Sequence, residues 1–475
     1  VVAAGSAALL WGAFYPGLSV LVWPALGGLF WSLSGRGGSS GAKLGMVAGL
    51  TYFALTFSSI LQLWNFVGAL ALPLWILLAV YAALYMAVFG AAVGRWRSPL
   101  VWAGAWMLLE VARVAGPLGT AFGTLPGALA VPPWVGAAAV GGPWLLSFAA
   151  SWTAGCAVAG WRGRRAWLLL ALLGPGILFS ASGLAPHTEQ VDTLRVAIVQ
   201  TGVTQEDRLD AGQVPQLMDH YRSLLGEIEQ PVDLVVFPET VLPVPLPDRP
   251  ELMEAFQQAA QRLDADLLVG TGDRRDDGVY NSTLLVSPEG EVVGSYDKMH
   301  LVPFGEYLPA RGLWEAVGLG PLLRDLLPHD LAPGGSDEPI GAYGVRICFE
   351  SQFPKLARRS VAHEAELLVV PTNDAWFGRD RLLWDHFAFG ALRAAEQGRA
   401  FIHATTTGWS GAFDPRGRLA GDLPLLEPDV LYVQLPLHRG RTPYAVVGDW
   451  PVLALAAVLV AGGIAWERRY TRSQF

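Results

Sequence analysis

Residues 233–240 read DLVVFPET: four apolar residues without a polar break, then Pro238, then Glu239. A strand exposed on one face alternates polar and apolar side chains, so an unbroken run predicts a strand covered on both faces. The same pattern returns in ELLVV at 366–370, and in VRICFES at 345–351 Cys348 is read as ending a further strand. Further short β runs are read at Leu194–Gln200, Leu267–Thr271, Thr283–Ser287, Val292–Ser295, Phe401–Ala404 and Leu431–Gln434. Helical spacing marks Val214–Glu229, Glu251–Leu263 and Leu383–Gln397, with Pro250 as a start signal for the second. Strands and helices mixed through 188–447 predict one layered α/β domain.

Outward from this block the composition changes. Residues 1–187 hold eight basic residues (Arg36, Lys43, Arg95, Arg97, Arg113, Arg162, Arg164, Arg165) and one acid, Glu110; the other 25 basic and 40 acidic residues lie in 188–475. The whole chain of 475 residues is 52% hydrophobic and only 16% charged, with mean hydropathy +0.37, which excludes a disordered chain and an ordinary cytosolic enzyme. A net charge of −8 argues against a nucleic-acid partner. Apolar runs long enough for a bilayer are read near 1–14, 17–34, 44–64, 68–93, 98–116, 142–161, 166–183 and 449–466, with the Gly- and Pro-rich 117–141 as a non-spanning connection. The expected organisation is a membrane domain over 1–187, a polar catalytic domain over 188–447, and a last span with a basic tail over 448–475.

With eight spans, Arg36 and Lys43, Arg95 and Arg97, Arg162, Arg164 and Arg165, and Arg468, Arg469 and Arg472 all fall on one side. The positive-inside rule makes that side cytoplasmic and puts 188–447 on the opposite, extracytoplasmic face. The first residue is Val, so the native start is expected to lie upstream, and no signal-peptide pattern is read. Glu110 and Arg113, three residues apart inside the fifth span, are expected to pair on one helical face, with a functional or a packing role. Cys156 and Cys348 sit in different parts of the chain, and no disulfide is expected between them.

The chemistry concentrates in three segments. VVFPET carries Glu239, YDKMHLVPFGEYLP (296–309) carries Lys298 and Glu306, and VRICFES carries Cys348. A thiol becomes a nucleophile when deprotonated, a semi-buried Glu with a raised pKa can take its proton, and an ammonium can stabilise an oxyanion. Taken singly, a Cys ending a buried strand is an ordinary core residue and a lone Glu or Lys an ordinary surface charge. Spacing alone does not join the three. No metal-ligand spacing is found among the eight His and two Cys, so neither a metal nor an organic cofactor is expected.

These segments resemble the Glu–Lys–Cys motifs of the nitrilase superfamily. The apolar runs around them, with HLVPFGEYLP (300–309), NDAWFG (373–378), WDHF…RAAEQGR (384–399) and TPY…GDWP (442–451), resemble its membrane-embedded branch, the apolipoprotein N-acyltransferases. The resemblance implies an αββα sandwich with Glu239 as general base, Lys298 as oxyanion stabiliser and Cys348 as nucleophile. It further implies Glu306 and Glu350 as supporting acids and Asn281 as a pocket residue, with ordinary strand-end hydrogen bonding as the competing role for Glu350 and Asn281. Phe349 stands where the family has Tyr after the nucleophile, and Leu209 where it has an indole. The implied reaction moves an acyl chain from a membrane phospholipid, phosphatidylethanolamine by resemblance, through a Cys348 thioester to the amino terminus of a diacylglyceryl lipoprotein. The implied location is a bacterial inner membrane, with the catalytic domain on the periplasmic side. A membrane-tethered amidase and a non-catalytic lipoprotein-binding scaffold are the alternatives. The long connection 307–340, with Trp314, Leu322, Leu323, Leu326 and Leu327, is read as a lid over acyl chains or as a covering loop.

Overall fold

The computed structural model describes residues 1–185, 188–316, 318, 320, 327 and 329–472. The chain divides into two units. One comprises Val1–His187, Asp380–Gly398 and Arg441–Phe475; the other comprises Thr188–Arg379 and Arg399–Gly440.

The first unit is helical. Helices cover Val2–Gly12, Val22–Leu33, Gly38–Thr56, Ala71–Arg95, Pro99–Val114, Ala138–Trp161, Leu173–Leu184 and Trp450–Arg472. By length and composition, four helical runs among the described residues can cross a membrane: Ser58–Arg95, Val135–Trp161, Ala166–Leu184 and Trp450–Arg469. Gly41, Gly45 and Gly49 on Gly38–Thr56 face Gly90, Met86 and Ala83 on Ala71–Arg95 so closely that a Cβ at Gly45 would lie 3.1 Å from Gly90 Cα. Small residues at four-residue spacing let the two backbones touch.

The helix Leu382–Gln397, read from sequence as part of the α/β block, groups instead with this helical unit. Its charges are paired inside. Arg381 bonds Asp385 at 2.8 Å and lies 4.7 Å over the Phe14 ring, while Arg393 Nε donates to Glu396 at 2.8 Å.

The second unit is a two-sheet sandwich. Its first sheet is built from β1 (Glu189–Gln200), β2 (Leu234–Val236), β3 (Asp266–Arg275), β4 (Gly278–Val286), β5 (Val292–Asp297) and β11 (Asp429–Arg439), in the order β11-β1-β2-β3-β4-β5. The second contains β6 (Tyr343–Val345), β7 (Leu367–Thr372), β8 (Ala400–Thr405), β9 (Gly411–Phe413) and β10 (Leu419–Asp422), in the order β10-β9-β8-β7-β6. The strands β1, β2 and β3 run parallel, as do β6, β7 and β8. The expected strands are present except that Val345–Cys348 gives way to Tyr343–Val345; the short β9 and β10 and the helix Pro354–Ala362 were not read from sequence.

Period-two alternation divides the first sheet between two cores. Val196, Ile198, Leu234, Val236 and Leu268 meet Val345, Ile347, Leu367, Val369 and Ile402 of the second sheet. Their neighbours Ala197, Val199, Val235, Phe237 and Leu267 pack under helices Val214–Gly226 and Pro250–Leu263 through Leu217, Tyr221 and Phe256. This is why DLVVF has no polar break. Each large side chain buried here contributes roughly 1.5–3 kcal/mol. On the far side of the second sheet, Ser360 of Pro354–Ala362 lies against Gly344, completing the helix–sheet–sheet–helix order.

Candidate active site

The residues singled out from sequence meet at one end of the parallel strands. Glu239 lies three residues beyond β2, Lys298 one beyond β5, Asn281 within β4 and Cys348 three beyond β6. Asn281 Nδ2 donates to Glu239 Oε1 at 2.7 Å and to Glu306 Oε1 at 3.0 Å. Lys298 Nζ donates to the same two oxygens, at 3.1 Å and 2.8 Å. Glu306 reaches back because its own loop turns sharply: Val302 donates to Glu306 Oε2 at 2.8 Å, and the Glu306 N–H returns to the Val302 carbonyl at 2.9 Å. Lys298 is 1% exposed, so its charge depends on these carboxylates.

The pKa shifts follow from this packing. Burial alone would raise the Glu239 carboxyl, but the Lys298 charge and hydrogen bonds from Asn281, Lys298 and Cys348 outweigh it and hold it below the usual carboxylate range. The sequence expectation of a raised Glu is therefore corrected: an ammonium in direct contact overrides burial. Burial would also lower the Lys298 ammonium, yet Glu239 and Glu306 carry it well above the ordinary lysine range. Burial and the Glu239 charge push the Cys348 thiol up, against the Lys298 charge and the Thr372 hydroxyl, which favour the thiolate. The resting pair is thus a thiol beside an ionised carboxylate that can accept its proton.

Cys348 does not end its strand as expected. The strand stops at Val345, and Cys348 has φ 51° at the start of a short 3-10 turn, Cys348–Gln352. A non-glycine residue there costs of order 1–3 kcal/mol and needs outside support. Glu350 supplies it. Its buried carboxylate accepts from the N–H groups of Met299 (2.9 Å), His300 (2.9 Å) and Ile347 (2.8 Å) and from the Tyr296 hydroxyl. One side chain therefore ties the loop after Lys298 to the turn that carries Cys348. Phe349 is half-buried, edge-on to Phe353 at 5.3 Å and 5.8 Å from the His300 ring.

Other candidates lie elsewhere. Leu209 is 52% exposed. Trp314 is half-buried on the short helix Arg311–Ala316, its indole donating to the Pro309 carbonyl at 2.8 Å. Leu322, Leu323 and Leu326 lie outside the described residues.

Glu110 and Arg113 do not pair with each other. Glu110 accepts from the Leu125 N–H at 2.8 Å and from Ser147; Arg113 donates to the carbonyls of Thr120 (3.0 Å) and Phe122 (3.1 Å). The irregular segment 118–124, buried from Ala121 onward, has backbone groups in need of partners, and these two side chains supply them there and at the following Leu125 N–H. At 334–335, a Cβ on Gly334 would meet the Asp297 backbone, whereas Gly335 is exposed with open space beside it. Sequence reading missed Thr372, Tyr296 and Arg208. Tyr296 and Thr372 adjoin quoted motifs, whereas Arg208 carried no signal beyond its place beside Leu209.

The carbon-nitrogen hydrolase family model matches residues 195–443, and the apolipoprotein N-acyltransferase N-terminal domain model matches 6–156. An apolipoprotein N-acyltransferase of Pseudomonas aeruginosa is 32% identical over 462 residues, covering 91% of this chain and 88% of that protein. One of Geobacter metallireducens is 30% identical over 506 residues, covering 97% and 93%. Among solved structures, an amidase from Nesterenkonia sp. aligns at 20% identity with a TM-score of 0.41, covering 57% of this chain and 98% of that one. With relatives of that identity along nearly the whole of both sequences, the chain belongs to the apolipoprotein N-acyltransferase family.

Proposed function

We propose that this chain is a membrane acyltransferase that N-acylates lipoproteins, taking the acyl group from a phospholipid, with phosphatidylethanolamine as the preferred donor. The reading rests on the convergence of Glu239, Lys298 and Cys348 in a member of this family. The Cys348 sulfur attacks the ester carbonyl of the donor while its proton passes to Glu239. Lys298 stabilises the oxyanion of the tetrahedral intermediate. The carbon–oxygen bond then breaks, Glu239 returns the proton to the departing lysophospholipid, and the acyl group stays on Cys348 as a thioester. The free amine of a diacylglyceryl-cysteine lipoprotein next attacks that thioester. Glu239 takes the amine proton and restores the thiol as the carbon–sulfur bond breaks, leaving an amide. Glu306 and Asn281 hold Lys298 and Glu239 in register throughout.

The α/β unit is proposed to face the periplasm of an inner membrane, with the clusters at Arg36, Arg95, Arg162 and Arg468 on the cytoplasmic side. A cysteine placed at Gly335 would then react with an impermeant thiol reagent from outside; labelling only after permeabilisation would reverse the orientation.

The deciding experiment is an intact-mass spectrum after incubation with phosphatidylethanolamine. A hydroxylamine-sensitive acyl adduct on the wild type, absent from Cys348→Ala, is expected. No adduct with any phospholipid sinks the reading.

A further inference from the structure

A second buried cation stands beside the thiol–carboxylate pair. Arg208, in the short helix Gln205–Leu209, is 7% exposed. Its Nε and Nη2 both donate to Gln205 Oε1 at 3.2 Å, and its Nη1 donates to the Thr240 carbonyl at 3.2 Å. Gln205 is fixed in turn by Asn373 Nδ2 at 2.8 Å, and Asn373 Oδ1 accepts from the Thr406 hydroxyl at 2.9 Å. This polar chain joins the residue after Thr372, whose hydroxyl acts on Cys348, to the residue after Glu239. Thr240 has φ 46°, a conformation that needs holding.

Charge points the same way. Glu239, Tyr221 and Cys348 act on Arg208, and the strongest charges acting on Cys348 are Glu239, Lys298 and Asp374. Glu306 is already in contact with Lys298. Glu239, Glu306 and Asp374 against Lys298 alone would leave an excess of negative charge where a thiolate or an oxyanion must form.

We propose that Arg208 is a positioning residue of the acyl-transfer site, fixing the Glu239 loop through the Thr240 carbonyl and supplying the second positive charge against which the Cys348 thiolate forms. The proposal rests on Cys348 being the nucleophile described above. A guanidinium suits the task because its planar fork grips Gln205 with two N–H groups and still reaches the carbonyl with a third.

The test is the rate of Cys348 alkylation by iodoacetamide on the full detergent-solubilised chain, read at the peptide level from about pH 6 to 10, where the rate follows the thiolate fraction. Arg208→Met is expected to slow alkylation about tenfold near pH 8 and to move the profile about one pH unit alkaline. Arg208→Lys, which keeps the charge, is expected to recover most of that loss. Gln205→Glu leaves Arg208 in place but offsets its charge, and should move the profile in the same alkaline direction. A Gln205→Glu profile identical to wild type overturns the proposal, as does equal impairment of the Lys and Met variants. Alkylation is read without lipid. Failure of the acyltransferase reading would appear separately, as an absent acyl adduct on the wild type.

Discussion

Gly270 carries the sharpest prediction about Glu239. It lies in β3, and its carbonyl accepts the Val241 N–H at 3.0 Å. A Cβ added there would sit 2.6 Å from Thr240 N and 2.7 Å from Glu239 Cα, and would also press on the Pro238 carbonyl. These are backbone atoms, and none can swing aside. Ordinary contact begins near 3.4 Å, so Gly270→Ala must push the Glu239 backbone away by about 0.7 Å or more. The carboxylate would move with it, out of the 2.7 Å and 3.1 Å contacts with Asn281 and Lys298. A misplacement of this size at a reacting centre costs about 10²-fold in rate, equivalent to roughly 2.7 kcal/mol of barrier. Overpacking costs a further 1–3 kcal/mol of stability, roughly. The assay is single-turnover formation of the acyl adduct by intact mass, alongside a thermal melt. Adduct formation at the wild-type rate would refute the argument that Gly270 is there to let Glu239 approach. A loss of rate matched only by unfolding would reduce it to a packing effect.

The Glu350→Gln variant replaces one acceptor oxygen with a donor facing N–H or O–H groups. With about 1.5–3 kcal/mol at stake, adduct formation is expected to fall roughly 10- to 100-fold, and wild-type kinetics would count against its bracing role. In the helical unit, Gly45→Val should separate Gly38–Thr56 from Ala71–Arg95, lowering the yield of folded protein in detergent; a Val variant that melts with the wild type contradicts the close backbone contact. Glu239 is held below the ordinary carboxylate range, so its contribution to stability is present above about pH 4.3 and is lost as the pH falls through its folded value. Lys298 is raised, so its contribution is present below about pH 10.4 and is lost as the pH rises through its folded value. Glu239→Ala is therefore expected to lose the Glu239 part of the acid-side dependence of the melting temperature; an unchanged acid-side profile in that variant opposes the assignment.

What the sequence showed depended on periodicity. DLVVF and ELLVV were legible as strands covered on both faces because burial on both sides removes every polar residue, and the sandwich bears this out through Leu234–Phe237 and Leu367–Val370. The helix Leu382–Gln397 was legible as a helix but not in its company. Asp385, Arg393 and Glu396 look like a solvated face in one dimension, yet each is buried, with Asp385 bonded to Arg381 and Arg393 to Glu396. The triad residues were visible as separate strand-end groups, and only the strand pairings, parallel for β1–β3 and β6–β8 and antiparallel from β3 through β4 to β5, bring their ends to one place. Short β9 (GAF) and β10 (LAGD) hold too few β-branched and aromatic residues to register as strands. Arg208 and Gly270 were invisible for a deeper reason. Each acts through a neighbour's backbone, the Thr240 carbonyl for Arg208 and the Pro238–Thr240 segment for Gly270, and a backbone contact leaves no pattern of residue types. The residues that would react can be read as a motif, while those that hold them at reacting distance emerge from packing alone.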